Sequence, residues 1–201
     1  MASHVYVTLE INEARYLADL IGVEYDLNTT IEWCDQFYHI TSDRHMFWLV
    51  EPLTTAILIR FIRAFGGGVR HKSTNFLLST LSRDEKEQYD YFKNIRDKHA
   101  AHSVNEFEDN EVKAYYIQES IEKGVNSIGE GCNRVIGLSG ADIESIRNIC
   151  ASLVEKIKLE KAAEKEKLLR ITSKYTAEDI RKFKAKAPKR TENIDVSKSR
   201  R

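Results

Sequence analysis

The stretch Asn94–Ser103, with the sequence NIRDKHAAHS, holds the residue types best suited to chemistry. Arg96 supplies a fixed positive charge with a planar fork of donors, and His102 supplies a group that exchanges a proton near pH 7. At about 100° per residue, His99 falls in the middle of an apolar helical stripe, and Arg96 and His102 border that stripe on opposite edges. A helix that only packs does not need these groups at its rims, whereas the mouth of a cleft would use both.

The order of these residues resembles the RX4-6H motif of the HEPN superfamily. The motif runs from Arg96 and Asp97 to His102, with five residues between the arginine and the closing histidine. The phrase RDKHAAH also resembles a stretch in the AbiU2-like group. The resemblance covers this motif and the helical layout of about residues 45–155. It implies a metal-independent ribonuclease without a cofactor, acting in a toxin or phage-defence system as a homodimer whose two motifs face one cleft.

Carried onto this chain, the resemblance implies a role for each residue of the motif. His102 would transfer a proton, Arg96 would hold the scissile phosphate, and Asp97 would orient one of the two. Lys98 and His99 are expected to contact the RNA. His99 also stays open as the alternative closing histidine, or as a hydrogen-bonded core residue. The implied partners are RNA, a second copy of the chain, and an antitoxin or a nucleotidyltransferase.

A second hypothesis stays open because an arginine and a histidine six positions apart occur by chance in many helical proteins. In this alternative the chain is a non-catalytic HEPN-like module. It would dimerise and engage protein or RNA through its charged tail without cutting anything.

Composition favours helices as the elements that position the motif. The chain has only two prolines and nine glycines and is rich in helix-forming residues, which predicts an all-α, HEPN-like helical bundle. Ile11–Tyr38 reads as one helix or two joined near Asn28, with one apolar face formed by Ile11, Ala14, Leu17, Ala18 and Ile21. Phe47–Phe65 predicts a buried central helix, with Pro52 near its start and three glycines after its end.

The second half of the chain predicts three further features. Val69–Leu81 is expected to connect to a helix from Ser82 to about His102, because SRDE forms a capping box. After a turn at Asn105–Asp109, helical spacing predicts another helix, marked by Ile117, Ile121, Val125, Ile128 and Cys132. The segment SGAD begins a last helix reaching about Leu169, which is expected to project as a solvated helix beyond Lys156.

Charge is segregated along the chain. Residues 1–155 carry 15 basic and 24 acidic side chains, a net charge of −9. Residues 156–201 carry 16 basic and 7 acidic side chains, a net charge of +9. We therefore divide the chain into a helical HEPN-like domain, 1–155, and a basic helical extension with a disordered tail, 156–201. The basic extension fits contact with phosphates as well as with the acidic body.

The N-terminus lacks the pattern of a secretory signal, and three separated cysteines fit a reducing compartment, so a cytoplasmic location is expected. Glu51, Arg60 and Arg63 interrupt the most apolar stretch, which predicts a core helix and no contact with a membrane. Arg60 and Arg63 must then pair with carboxylates or face a cleft.

Other candidate sites are weaker. We expect no metal site, because no Glu-x-x-His or cysteine-histidine zinc spacing occurs. Asp35 and His39 are one helical turn apart and are expected to share a local hydrogen bond. The cysteines are expected to be buried or inert.

Four aromatic residues have the spacing of core residues, so they are expected to pack inside the protein and need no ligand to explain them: Trp33, Trp48, Phe61 and Phe65.

Overall fold

The computed structural model describes residues 6–66, 71–97, 108–118, 122, 124–134 and 137–183. These residues form mostly helices, which confirms the predicted helical class, and one antiparallel hairpin that the sequence analysis did not predict. In chain order the elements are α1 (Asn12–Ser42), a 3₁₀ helix (Arg44–Leu49), α2 (Val50–Ala64), α3 (His71–Thr80), α4 (Arg83–Ile95), β1 (Glu108–Tyr115), β2 (Ser127–Arg134), α5 (Gly140–Thr172) and α6 (Ala177–Lys182).

Helices α1 and α5 are the longest, with 31 and 33 residues, and they lie antiparallel. Tyr38 on α1 donates to Glu144 on α5 at 3.0 Å, and Lys161 on α5 pairs with Glu24 nearer the start of α1. The apolar contact between the two helices, which we call the α1–α5 seam, includes buried residues of both: Leu20, Val23, Leu27, Cys34, Ile143, Ile146, Ile149, Leu153 and Ile157.

The predicted face of α1 is wrong, although the prediction of a long helix is confirmed. The buried stripe of α1 runs along Tyr16, Leu20, Val23, Leu27, Thr30, Cys34 and Phe37, whereas Ile21 is 49% exposed. The apolar residues of the first turns alone fit two adjacent faces. The stripe that continues along the whole helix decides which face meets α5.

Helix α2 is the predicted central helix, but it begins at Val50, after the 3₁₀ helix. Pro52 lies in its first turn, where the missing N–H costs little. Phe61 and Phe65 are buried as expected, while Trp48 is 73% exposed and does not belong to the core.

The stretch predicted as a connection between α2 and α4 is mostly helical, because it contains α3. Its serine, threonine and asparagine residues have low helix propensity. Leu77 is fully buried, and Thr74 donates to the carbonyl of Gly66 at 3.2 Å. Tertiary packing therefore decides the conformation of this segment.

The predicted capping box at Ser82 is confirmed, and the predicted start of the last helix at SGAD carries a second one. Ser82 and Glu85 cap α4, and Ser139 and Asp142 cap α5 in the same reciprocal way. Helix α5 does not leave the body at Lys156 as expected. Ile157, Glu164 and Leu168 farther along it are buried, and the Tyr16 hydroxyl donates to Glu160 at 3.0 Å.

The helix predicted around Ile117–Cys132 is wrong, because this region contains the hairpin. Strands β1 and β2 pair with Tyr115 opposite Ser127 and Val112 opposite Glu130. Glycines at 124, 129 and 131 would each cost a helix about 1 kcal/mol. Ile117, Val125 and Ile128 are all more than half exposed, so their helical spacing does not correspond to a buried face.

Among the described residues, one helical stretch, Arg44–Ala64, has the length and composition of a membrane span, with a mean hydropathy of 1.3. A core helix of a soluble protein passes the same test. Phe61 and Ile57 in this stretch are fully buried within the protein, whereas 33% of its apolar window as a whole is buried.

Gly137 lies between the hairpin and α5 and packs directly against Thr54 of α2. We expect Gly137→Ala to lower the free energy of unfolding by about 1 to 3 kcal/mol, because an added methyl group would collide with the buried Thr54 hydroxyl. Urea denaturation measures the change. Gly140→Ala is the matched control, since nothing lies within 4 Å of the added carbon there. Equal stability of the two variants would contradict this packing.

Candidate functional site

Helix α4 positions Arg96 through its buried apolar stripe. Tyr89, Phe92 and Ile95 are buried, as the predicted stripe requires. The ring of Phe92 lies 5.9 Å from that of Phe61 on α2, edge to face. This aromatic contact holds α4 against α2, and α4 ends at Ile95, the residue before Arg96.

Arg96 and Asp97 continue α4 as a wider, π-type turn, a feature that is frequent at functional sites. The two side chains are 40% and 46% exposed, and Arg96 Nε lies 3.1 Å from Asp97 Oδ1. Arg96 is therefore at the rim of the buried stripe, where the sequence analysis predicted it.

The Nε atom of Arg96 is buried but donates no hydrogen bond within the described part of the chain. Asp97 Oδ1 is close enough for an ion pair, but the Nε–H does not point at it, so we count this contact as electrostatic only. A buried donor without an acceptor costs stability. The guanidinium is thus held at the surface with hydrogen-bonding capacity left over.

Tyr89 lies beneath this pair. Burial raises the pKa of the Tyr89 phenol, with Asp90 and Asp97 raising it further and the charge of Arg96 acting in the opposite direction. The phenol therefore stays protonated near neutral pH. It supports the end of α4 and does not supply a base.

Lys98, His99 and His102 lie outside the described residues. The angles used in the sequence analysis assume a regular α-helix, which is described as far as Ile95. The predicted roles of these three residues, and their meeting with Arg96, therefore stay predictions.

Arg60 and Arg63 of α2 are paired, as required by their place in an apolar helix. Arg60 Nε lies 3.2 Å from Asp26 Oδ1, and Arg63 Nε lies 3.5 Å from Asp26 Oδ2. Asp26 is only 1% exposed. This carboxylate was not predicted, because the predicted apolar face of α1 did not include the buried stripe on which Asp26 lies.

The predicted bond between Asp35 and His39 is wrong. Asp35 instead accepts a hydrogen bond from Arg147 Nε on α5 at 2.7 Å, because the antiparallel packing brings a cation closer than the histidine one turn away. Among the described residues, no group of three metal-ligating side chains comes together.

The thiols of Cys34 and Cys150 are buried and unpaired, which confirms the prediction for these two cysteines. Burial raises the pKa of Cys34 to about 12, helped by the charge of Asp35. Burial also raises the pKa of Cys150. Neither thiol is a nucleophile near neutral pH.

An open cavity of about 360 Å³ lies between α4 and α5. Glu85 and Glu144 line it, together with the amides of Gln88 and Asn148. Asn148 donates to Glu144 at 3.2 Å, so these polar groups already bond one another. The two carboxylates would repel a phosphate, and the cavity is therefore a poor site for RNA.

Comparison with protein-family models, with curated proteins and with solved structures gives no match to this chain. Its function has to be inferred from its own residues.

Within the described residues, the Nε atoms of Arg60 and Arg96 are buried and donate no hydrogen bond, and we expect different effects on stability when these arginines are replaced. Arg96→Met removes an unpaired donor, so we expect the free energy of unfolding to stay within about 0.5 kcal/mol of the wild-type value or to rise above it. Arg60→Met should lower it by about 2 to 3 kcal/mol, because buried Asp26 loses a partner. Urea denaturation compares them, and a large loss in Arg96→Met would assign that residue to the fold.

Proposed function

We propose that the chain is a metal-independent endoribonuclease of HEPN type that acts in a toxin or defence system. The observation that carries this proposal is the arrangement at Arg96. A partly exposed guanidinium ends a rigidly packed helix, and its buried Nε has no hydrogen-bond acceptor among the described residues. A phosphodiester would bind the exposed part of this guanidinium, because its negatively charged oxygens accept parallel bonds from the planar fork of N–H groups.

In the proposed reaction, the RNA 2′-hydroxyl attacks the adjacent phosphorus. The new bond from the 2′-oxygen forms as the bond to the 5′-oxygen breaks, and no metal is needed. His102 moves a proton between these oxygens and solvent, and Arg96 balances charge on the non-bridging phosphate oxygens. Asp97 lies beside the guanidinium and would restrict its orientation. Lys98 and His99 would contact the strand.

The proposed assembly is a cytoplasmic homodimer whose two motifs face one cleft. One chain supplies few groups for the reaction, so a second motif across the cleft would add a second guanidinium and imidazole near the same strand. An antitoxin or a nucleotidyltransferase is the proposed regulator, and no cofactor is required.

Cleavage of RNA in excess EDTA tests the proposal. We expect the wild-type protein to cut a labelled single-stranded RNA, and we expect Arg96→Ala and His102→Ala each to lower the rate by at least about 100-fold, in line with loss of a general acid–base or charge-stabilising group. Gel electrophoresis of the end-labelled RNA measures the rate.

The matched control is Arg83→Ala, which removes an arginine at the other end of the same helix. The Arg83 side chain is 90% exposed and pairs only with nearby Glu87 at 3.1 Å among the described residues. Circular dichroism verifies that all variants are folded. Full cleavage by both motif variants, or equal loss in Arg83→Ala, would remove Arg96 and His102 from the mechanism.

A non-catalytic binding module is the second candidate, and the hairpin favours it. On one face of the hairpin, Tyr115 lies over Gly129 and Lys113 lies over Gly131. On the other face, Val112 and Ile128 are 78% and 64% exposed. An isolated hairpin is marginally stable in water, so a partner covering this second face would stabilise it.

If this second candidate is correct, Val112→Lys should weaken self-association, because it replaces an exposed apolar side chain of the covered face, opposite Glu130, with a charged one. Sedimentation equilibrium measures the association, and Asn126→Lys in the loop between the strands is the control. Wild-type protein would then associate and leave RNA uncut. Unchanged association in Val112→Lys would exclude the hairpin face as the interface.

A further inference from the structure

Two aromatic rings and two guanidinium groups lie near one another where α1 meets α2. We call this surface the arginine–aromatic patch and define it as Tyr25, Trp33, Arg60 and Arg63. The guanidinium carbon of Arg60 lies 5.3 Å from the centre of each ring. The patch is separate from the Arg96 motif and has no part in the reaction proposed above.

Buried Asp26 holds the two guanidinium groups in place. Each arginine approaches it through Nε, at 3.2 Å for Arg60 and 3.5 Å for Arg63. The rings of Tyr25 and Trp33 further restrict Arg60 by cation–π contact. A ligand that meets this surface therefore finds two cations already ordered, which lowers the entropy lost on binding.

The fold explains Arg60 but not the whole patch. Asp26 needs a cation because it is buried, and Arg60 is the less exposed partner, at 20%. Arg63 is nevertheless kept beside it with 59% of its side chain exposed, and the Tyr25 ring is 66% exposed. Packing alone does not require a second arginine or an open aromatic face here.

We propose that the arginine–aromatic patch binds single-stranded RNA. An ordered guanidinium beside an exposed ring matches this ligand, because the guanidinium takes the phosphate and the ring stacks on a base. An acidic peptide would use the cations but would leave the rings without a role. The inference shares with the proposed function only the assumption that RNA is the ligand.

The position of the patch makes it a second contact with the strand. On α2, Phe61 faces Tyr89 and Phe92 of α4, with ring centres 6.4 Å and 5.9 Å away. At about 100° per residue, Arg60 and Arg63 lie about 100° to 160° around the helix from Phe61. The patch is thus on another side of α2 and would hold a part of the RNA that does not enter the Arg96 site.

Fluorescence anisotropy of a labelled single-stranded RNA tests the proposal, with every protein carrying Arg96→Ala in EDTA so that the RNA stays intact. We expect Arg63→Gln to weaken binding about 3- to 10-fold and to reduce the salt-dependence slope by about 0.7, the value for one lost phosphate contact. Arg83→Gln removes a charge on α4 that is more exposed than Arg63, at 90% against 59%; it is the control and should have no effect.

Stacking is tested at Tyr25. Tyr25→Ala should weaken binding about 5-fold or more, whereas Tyr25→Phe keeps the ring and should bind like the parent protein. The chain has two tryptophans, so Trp48→Phe leaves Trp33 as a single fluorophore. Quenching of Trp33 on addition of RNA would place the strand at the patch.

The proposal is overturned if Arg63→Gln and Arg83→Gln weaken binding equally, if Tyr25→Ala binds like Tyr25→Phe, or if polyglutamate displaces the RNA at equal charge concentration. Absence of any RNA binding overturns it as well. If the wild-type protein, which keeps Arg96, binds RNA at the patch but does not cut it, the proposed ribonuclease is contradicted and this inference is not. The failure of one proposal is therefore distinguishable from the failure of the other.

Discussion

The α1–α5 seam is the interaction on which the rest of the structure depends. Two helices of more than 30 residues each bury an apolar stripe against the other, and this burial is the main source of stability. The polar contacts beside it, such as Arg147 with Asp35, are partly exposed and contribute little energy. Helix α2 packs on this pair, and α4 packs against α2.

Local signals allowed much of the helical layout to be predicted. The reciprocal caps at Ser82 and Ser139 depend on residues three positions apart, so their neighbours in sequence specify them. The phase of α1 and the conformation of α3 depend instead on contacts with distant helices. The hairpin was missed because its apolar residues have helical spacing but face solvent, and spacing alone does not report exposure.

The position of Arg96 on α4 could be predicted because the helix before it is regular. The rim position of Arg96 follows from the stripe of Tyr89, Phe92 and Ile95, and all three are buried. Asp26 was missed because its importance arises from Arg60 and Arg63, which come more than thirty positions later. A buried ion pair between helices is set by tertiary packing, and no spacing rule within α1 or α2 reports it.

The hairpin lies in the chain between α4 and α5, two helices that the core holds in place through their own buried stripes. Within the described part of the chain, its strands pack mainly against each other. Its outer residues are therefore free to change without a cost to the helical core, as in surface loops that carry binding specificity. The architecture thus separates a segment open to variation from the packing that keeps the protein folded.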